Sequence, residues 1–472
     1  MRKKLTALKC FGAKCKLSGL KHCIMQSIQC WLRSLKKDFA ITYPIIIPRP
    51  EHSITRANIS DFALKVLYRL KDAGYEAFLV GGGVRDMLLG REPKDFDIAT
   101  NASPEQVKDE FRNCRLIGRR FRLAHVHFGR EVIEVATFRA PHDTIVSEDD
   151  DREIIDGTII RDNVFGTLEE DAWRRDFTVN ALYYDIRDFS VVDYTGGLED
   201  LNAGVLRLIG DPVLRYQEDP VRMLRAIRFA AKLGFVVHPD TEAPLRALAP
   251  LLNKIPPARL FEEVLKLFLG NCALQTFELL RHHGLFGQLF SQTEKALEHE
   301  EQNFPLTFIA KVLASTDARL SLGKPVTPAF LFAGLLWEPV RMLAQEYEKK
   351  GMSELQALQT AAELVTSRQV QIIALPKRFS LPMREIWMMQ PRLQRTGGVR
   401  SLRLLTHPRF RAAYDFLLLR EEAGEVPSEA GAWWTALQSM NEEERTVAVK
   451  PKSGPRKKGR RRVRTPSSPS SE

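Results

Sequence analysis

Between residues 60 and 74 (SDFALKVLYRLKDAG) apolar side chains recur at Phe62, Leu64, Val66, Leu67 and Leu70. That spacing predicts an amphipathic helix, capped by Ser60 and stopped by Gly74. The next stretch, EAFLVGG, changes to an unbroken apolar run ending in glycines and reads as a strand. DFDIAT (95–100) reads as a second strand, and SPEQVKDEF (103–111) as a helix with Ser103 as cap and Pro104 at its first position. HVHFG and EVIEVATFR alternate apolar and polar residues, the pattern of a hairpin. Residues 141–158 are acidic and irregular and read as a loop. Beyond about residue 212 strand signals fade and amphipathic helices follow one another. The expected fold class is therefore an α+β head with a small mixed β-sheet, followed by an all-α neck and body. The expected divisions are a basic, disordered extension and linker at 1–54, the head at 55–211, a helical neck at 212–290, a helical body at 291–445 and a disordered basic tail at 446–472.

Composition changes this picture mainly through the distribution of charge. The 472 residues are 44% apolar, enough for several sizeable cores, and no run of eighteen apolar residues suggests a membrane span. The net charge of +11 is confined to the ends: residues 1–40 carry ten Lys/Arg against Asp38, and residues 450–472 carry nine against Glu472. Residues 41–449 hold 51 basic and 57 acidic side chains, so the body is mildly acidic and the anion-binding character lies in the tails. Residues 1–40 lack the apolar core of a signal peptide. Four of six cysteines (Cys10, Cys15, Cys23, Cys30) crowd this segment, none in C-x₂-C spacing, and the body is too poor in cysteine for a disulfide framework. A reducing cytoplasm is the expected location.

The chemistry concentrates in LVGGGVRDMLLGREPKDFD (79–97). Asp95 and Asp97 lie two apart on an expected strand, so both carboxylates face one side and can share divalent metals. A bare D-x-D is more often a solvated strand end. Gly81, Gly82 and Gly83 alter that balance, since they separate a strand from a helix start, where backbone N–H groups approach phosphates. Arg85 adds a forked donor in the first turn. The string is neither a P-loop nor a dinucleotide fingerprint.

This combination closely resembles the head of the class II nucleotidyltransferases, which comprise tRNA CCA-adding enzymes and bacterial poly(A) polymerases. EEDAWRRDFTVNALYYD (169–185), DYTGGLEDL (193–201), EDPVRMLRAIRFAAKLGF (218–235) and PPARLFEEVLKLF (256–268) resemble further family segments in the same order. The resemblance implies a nucleotidyltransferase head. It implies Asp95 and Asp97 as ligands of two Mg²⁺ ions and Asp176 as a third catalytic carboxylate; Glu134, which alternates with the apolar Ile133 and Val135 in EVIEVATFR, is the alternative from the residues themselves. It implies further that Gly82, Arg85 and Arg175 hold the nucleotide, while Asp219, Arg222, Arg225 and Arg228 select it. The helix at 218–235 supports this independently, because Met223, Leu224, Ile227, Ala230 and Ala231 form one apolar stripe and the charged residues another face.

Both branches share these features, and the choice between them rests on two others. LIGRRFRLAHVHF (116–128) resembles a segment of the poly(A) branch, in which Arg119, Arg120 and Arg122 offer phosphate contacts. The nine Lys/Arg at 450–464 form a sequence-independent grip on RNA. The expected activity is template-independent transfer of AMP from ATP to RNA 3′ ends, promoting RNA decay, with a tRNA CCA-adding enzyme as runner-up. An RNA-binding protein that kept the fold and lost the activity is opposed by the intact carboxylates. The expected partners are RNA 3′ ends, held by the helical body and the tail, together with RNA-decay proteins. A monomer is expected.

Overall fold

Alternating apolar positions across the head assemble into a single eight-stranded sheet. The computed structural model describes residues 44–118, 122–140, 152–155, 158–162, 164–301, 304–305 and 307–449. Its strands as far as residue 193 are β1 (Ile45–Ile47), β2 (Ala77–Val80), β3 (Asp97–Thr100), β4 (Cys114–Ile117), β5 (Leu123–Phe128), β6 (Glu131–Thr137), β7 (Arg152–Ile155), β8 (Thr158–Asp162), β9 (Leu182–Asp185) and β10 (Val191–Asp193). The sheet runs β1-β10-β9-β2-β3-β6-β5-β4, with β7 and β8 forming a separate antiparallel pair. Every neighbouring pair in the large sheet is antiparallel except β3 and β6.

Two expectations need correcting. The linker proposed for 1–54 contributes β1 to the sheet edge, where Pro44 and Pro48 flank the strand and no interior ladder bond is lost. The loop proposed for 141–158 contains β7 at its end, paired with β8. The β-branched run REII…TIIRD around Asp156-Gly157 carried that hairpin signal. The rest of the proposed loop, residues 1–43 and residues 450–472 lie outside the described residues, whereas the start of the tail proposed as disordered is ordered: 446–448 close a helix and Val449 is buried.

The chain divides into two compact units. The first comprises Met1–Asp150 and Asn163–Leu198, and the second Asp151–Asp162 and Glu199–Glu472. In the first unit, α1 (Asp61–Asp72) begins where Ser60 accepts from the Ala63 amide, and it buries Ala63, Val66, Leu67 and Leu70. The other helices here are α2 (Gly82–Leu88), α3 (Pro104–Glu110), α4 (Leu168–Arg174) and α5 (Gly197–Ala203), the last crossing into the second unit. Ser103 and Gln106 close a reciprocal capping box at α3. Phe78, Val80, Ala99, Phe138, Ala172, Tyr183 and Val192 form one buried cluster on the sheet. Each large side chain there contributes about 1.5–3 kcal/mol by leaving water.

The second unit is mostly helical. It includes α6 (Pro212–Glu218), α7 (Val221–Leu233), α8 (Pro239–Glu242), α9 (Leu245–Leu248), α10 (Pro257–Phe268) and α11 (Ala273–His282), and its helices continue to Ala448. The expected stripe of α7 is buried at Met223, Leu224, Ile227, Ala230 and Ala231, and Gly234 ends the helix at φ +73°. Trp387 and Trp434 are fully buried, their indole N–H groups donating to the carbonyls of Ala333 and Leu393. No described helix is long and apolar enough to cross a membrane.

Candidate active site

The turn from β2 into α2 depends on glycine. Gly81 has φ +77° and ψ −138°, a conformation essentially closed to other residues. A Cβ at Gly81 would sit 3.7 Å from Asp97 Oδ2 and 3.8 Å from Arg175 Nη1, so this backbone bends beside an anion and a cation at once. At Gly83 the backbone of Asp95 approaches, its carbonyl 3.2 Å from where a Cβ would be. The glycines thus bring the helix start against the aspartate pair.

The carboxylates occupy the centre of the sheet. Asp97 opens β3 and aligns with Glu134 on the parallel strand β6, while Glu134 aligns with His125 on the antiparallel strand β5. Side chains so aligned share a face. His125 Nε2 lies 3.1 Å from Glu134 Oε1. Asp95 precedes the strand and is exposed. Burial pushes the Asp97 carboxyl up to about 6, and the charges of Glu134 and Asp95 add to that, against the opposing pull of Arg175. An acid raised in this way is one whose charge Arg175 only partly compensates, and a divalent cation supplies the remainder. The oxygen-only set of Asp95, Asp97 and Glu134 suits a hard cation such as Mg²⁺.

Arg175 is held from behind. Its Nε and Nη2 donate to Asp171 Oδ2 at 3.2 and 2.9 Å, its Nε also donates to the Tyr183 hydroxyl at 2.8 Å, and that hydroxyl donates to Asp171 Oδ2 at 2.7 Å. Burial alone would weaken the Arg175 cation, but Tyr183 and Asp171 more than offset it and its pKa is raised. The clamp fixes the arginine while Nη1 turns toward Gly81. Asp171 and Tyr183 were not singled out from the sequence, although the i, i+4 spacing of Asp171 and Arg175 was visible.

Arg85 has a different setting from the one expected. It is only 2% exposed; Nε and Nη2 donate to Asp86 Oδ1 at 2.8 and 2.6 Å, and Nη1 donates to Asn180 Oδ1 at 2.5 Å. It ties α2 to the turn Thr178–Asn180, so it supports the glycine turn from inside. Asp176 is half-buried in the turn that follows Arg175. Gly197 must be glycine, because a Cβ there would run into the Thr178 carbonyl.

In the second unit, Asp219 follows α6; its Oδ1 accepts from the Val221 amide and its Oδ2 from Arg259 of α10 at 2.7 Å. Arg222, expected on a charged surface, is 8% exposed and donates to the Arg215 carbonyl and to Glu218 Oε2 at 2.8 and 2.7 Å. Arg225 and Arg228 lie further along α7, with the Arg228 guanidinium 4.8 Å from the Phe229 ring centroid. The structure therefore joins Asp219 to Arg259, a residue sequence reasoning did not name, and turns Arg222 inward. Arg122 pairs with Glu105 at 2.6 Å, whereas Arg119 and Arg120 lie outside the described residues.

Three family models match the chain. Residues 77–207 match a family model described as "Poly A polymerase head domain", residues 234–297 one described as "Probable RNA and SrmB- binding site of polymerase A", and residues 350–468 "Polymerase A arginine-rich C-terminus". The chain is 51% identical to poly(A) polymerase I of Escherichia coli O6:H1 over 83% of its own length and 85% of the relative's. A CCA-adding enzyme of Lactobacillus helveticus is 40% identical over 46% of this chain and 52% of that enzyme. The solved Bacillus stearothermophilus CCA-adding enzyme in complex with CTP aligns at a TM-score of 0.53 and 25% identity, covering 83% of this chain and 88% of that one.

Proposed function

From the premise that this chain belongs to the bacterial poly(A) polymerase family, as a template-independent polynucleotide adenylyltransferase, we propose how its residues divide the work. The observation that carries the reading is the convergence of Gly81, Asp97 and Arg175, with Glu134 in register beside Asp97. The triphosphate of ATP enters over the Gly81–Gly83 turn, where Gly82 and the amides of α2 face its oxygens and Arg175 Nη1 adds a fixed positive charge. Arg85 serves from below by holding the turn rigid. Asp95 and Asp97 are the residues that hold Mg²⁺, and the raised Asp97 carboxyl fits that task. Two bound Mg²⁺ ions supply a more acidic RNA 3′-hydroxyl and compensation of charge on the departing pyrophosphate.

Asp176 is the third catalytic carboxylate in this reading, and Glu134 sets the charge state of Asp97. Asp219 presents an acceptor to the base edge of ATP, held in place by Arg259. Arg225 and Arg228 supply donors, and Arg222 fixes the start of the helix. The RNA is gripped along the helical unit and by the basic residues 450–464, and the product is an RNA 3′ end marked for decay proteins in the cytoplasm, with the enzyme acting as a monomer.

The alternative CCA-adding activity is opposed by extent: the match to poly(A) polymerase I continues through most of the chain, whereas that to the CCA-adding enzyme covers about half. A primer-extension gel separates the two. Purified protein with Mg²⁺ receives an unstructured RNA or a tRNA lacking its CCA, with ATP, CTP or both. Long ladders on the unstructured RNA with ATP alone are expected, and Asp95→Ala should abolish them while leaving RNA bound. Additions confined to the tRNA and needing both nucleotides would overturn the reading.

A further inference from the structure

Away from the aspartates, α8 and α11 bring three metal-ligating side chains together. Glu242 ends α8, and His282 and His283 close α11; one ligand atom from each lies within 4.8 Å of the others, the only such His/Cys/Asp/Glu group among the described residues. His283 Nδ1 stands 3.9 Å from Glu242 Oε1. The two imidazoles meet edge to face, their centroids 4.8 Å apart at 80°. The backbone beneath them is fixed: the His283 amide donates to the Leu279 carbonyl at 3.1 Å, Arg246 donates to the His282 carbonyl, and Gly284 ends the helix at φ +72°. His283 is 7% exposed, whereas His282 is exposed and Glu242 half-exposed.

We infer that Glu242, His282 and His283 form a binding site for a divalent transition metal of the zinc type. Two imidazoles and one carboxylate are the donors that zinc takes, with water in the fourth position, whereas Mg²⁺ prefers oxygen alone. Around a tetrahedral zinc, neighbouring ligand atoms lie about 3.4 Å apart. The present spacing needs a closure of roughly an ångström to meet that bond geometry. Rotation of the exposed His282 and Glu242 side chains supplies the movement, with α8 and α11 staying where they are. The metal would clip α8 to the end of α11 within the segment that matches the RNA-binding family model. Arg246 contributes an opposing charge, so the affinity falls below that of a closed structural zinc site.

The test uses the full chain, stripped with chelator and returned to buffer containing excess Mg²⁺. Calorimetric titration with zinc chloride should show a saturable site that His282→Ala removes, and zinc should raise the melting temperature. His282→Ala and Glu242→Gln, both at accessible side chains, should each weaken binding at least about tenfold and remove the thermal shift. Asp95→Asn should leave the titration unchanged. Cobalt substituted for zinc should give visible d–d absorption that His282→Ala removes. Absence of saturation, undiminished binding in both variants, loss of binding in Asp95→Asn, or d–d absorption unchanged by His282→Ala would each overturn the assignment.

Discussion

Replacing Asp97 with asparagine should stabilise the metal-free protein at neutral pH and remove its response to Mg²⁺. In the folded state burial, reinforced by Glu134 and Asp95, raises the Asp97 carboxyl from 3.8 to about 6. A shift of this direction means that the protonated acid is the better-accommodated form. The contribution to stability is fully present below about pH 3.8 and is lost as the pH rises through about 6. A displacement of about two pH units corresponds to about 3 kcal/mol, at about 1.4 kcal/mol per unit. Asparagine keeps the shape and carries no charge, so Asp97→Asn should recover about 2–3 kcal/mol at pH 8 and almost nothing at pH 4. Urea denaturation followed by circular dichroism between pH 4 and 8, without and with Mg²⁺, measures the difference. Mg²⁺ should stabilise the wild type above pH 6 and leave the variant unmoved. A difference independent of pH, or a variant less stable than wild type at pH 8 without metal, would refute the reasoning.

Gly81→Ala should cost about 1–3 kcal/mol through backbone strain alone, since the added methyl meets no atom closer than 3.7 Å, and should raise KM for ATP. Arg85→Met should destabilise by about 3–5 kcal/mol, because Asp86 and Asn180 lose a buried charged partner; thermal melting reads this, and activity should fall by disorder of α2. Arg259→Ala should release Asp219 and relax the preference for ATP over CTP with little change in Tm, a split that competition between the two nucleotides measures. Deleting residues 450–472 removes nine Lys/Arg, and should raise KM for RNA and flatten its salt dependence while sparing KM for ATP.

The elements of the head were readable because their patterns are local. Ser60 and Gly74 bracket α1, Ser103 and Pro104 start α3, and alternation marks β5 and β6. Sequence also placed Asp95, Asp97 and the glycine turn in one stretch, since only sixteen residues separate Gly81 from Asp97. What it could not give was register. Glu134 aligns with Asp97 through the one parallel pairing of the sheet, and no local signal says which residue of β6 lies beside which residue of β3. The burial of Arg85 and Arg222 was hidden for a related reason. An arginine on a helix reads as a surface donor until Asn180 or the Arg215 carbonyl, distant in the chain or turned inward, is seen to accept from it. The β7–β8 hairpin was a different kind of miss: its Asp-Gly signal was present and was outweighed by the acidity of the preceding residues.

The arginine clamp also bears on the order in which the site becomes complete during synthesis. Asp97 leaves the ribosome 86 residues before Tyr183, the residue that with Asp171 locks Arg175 beside Gly81. At ordinary translation rates that is an interval of roughly 4–17 s. Throughout it the nascent chain carries both aspartates and the glycine turn, but β9, which pairs directly with β2, has not been made. A product of premature termination near residue 150 would hold the carboxylates without the arginine clamp. The path from Asp97 to Tyr183 thus orders assembly: the carboxylates are made first, and the clamp that fixes Arg175 beside Gly81 closes only once β9 is present.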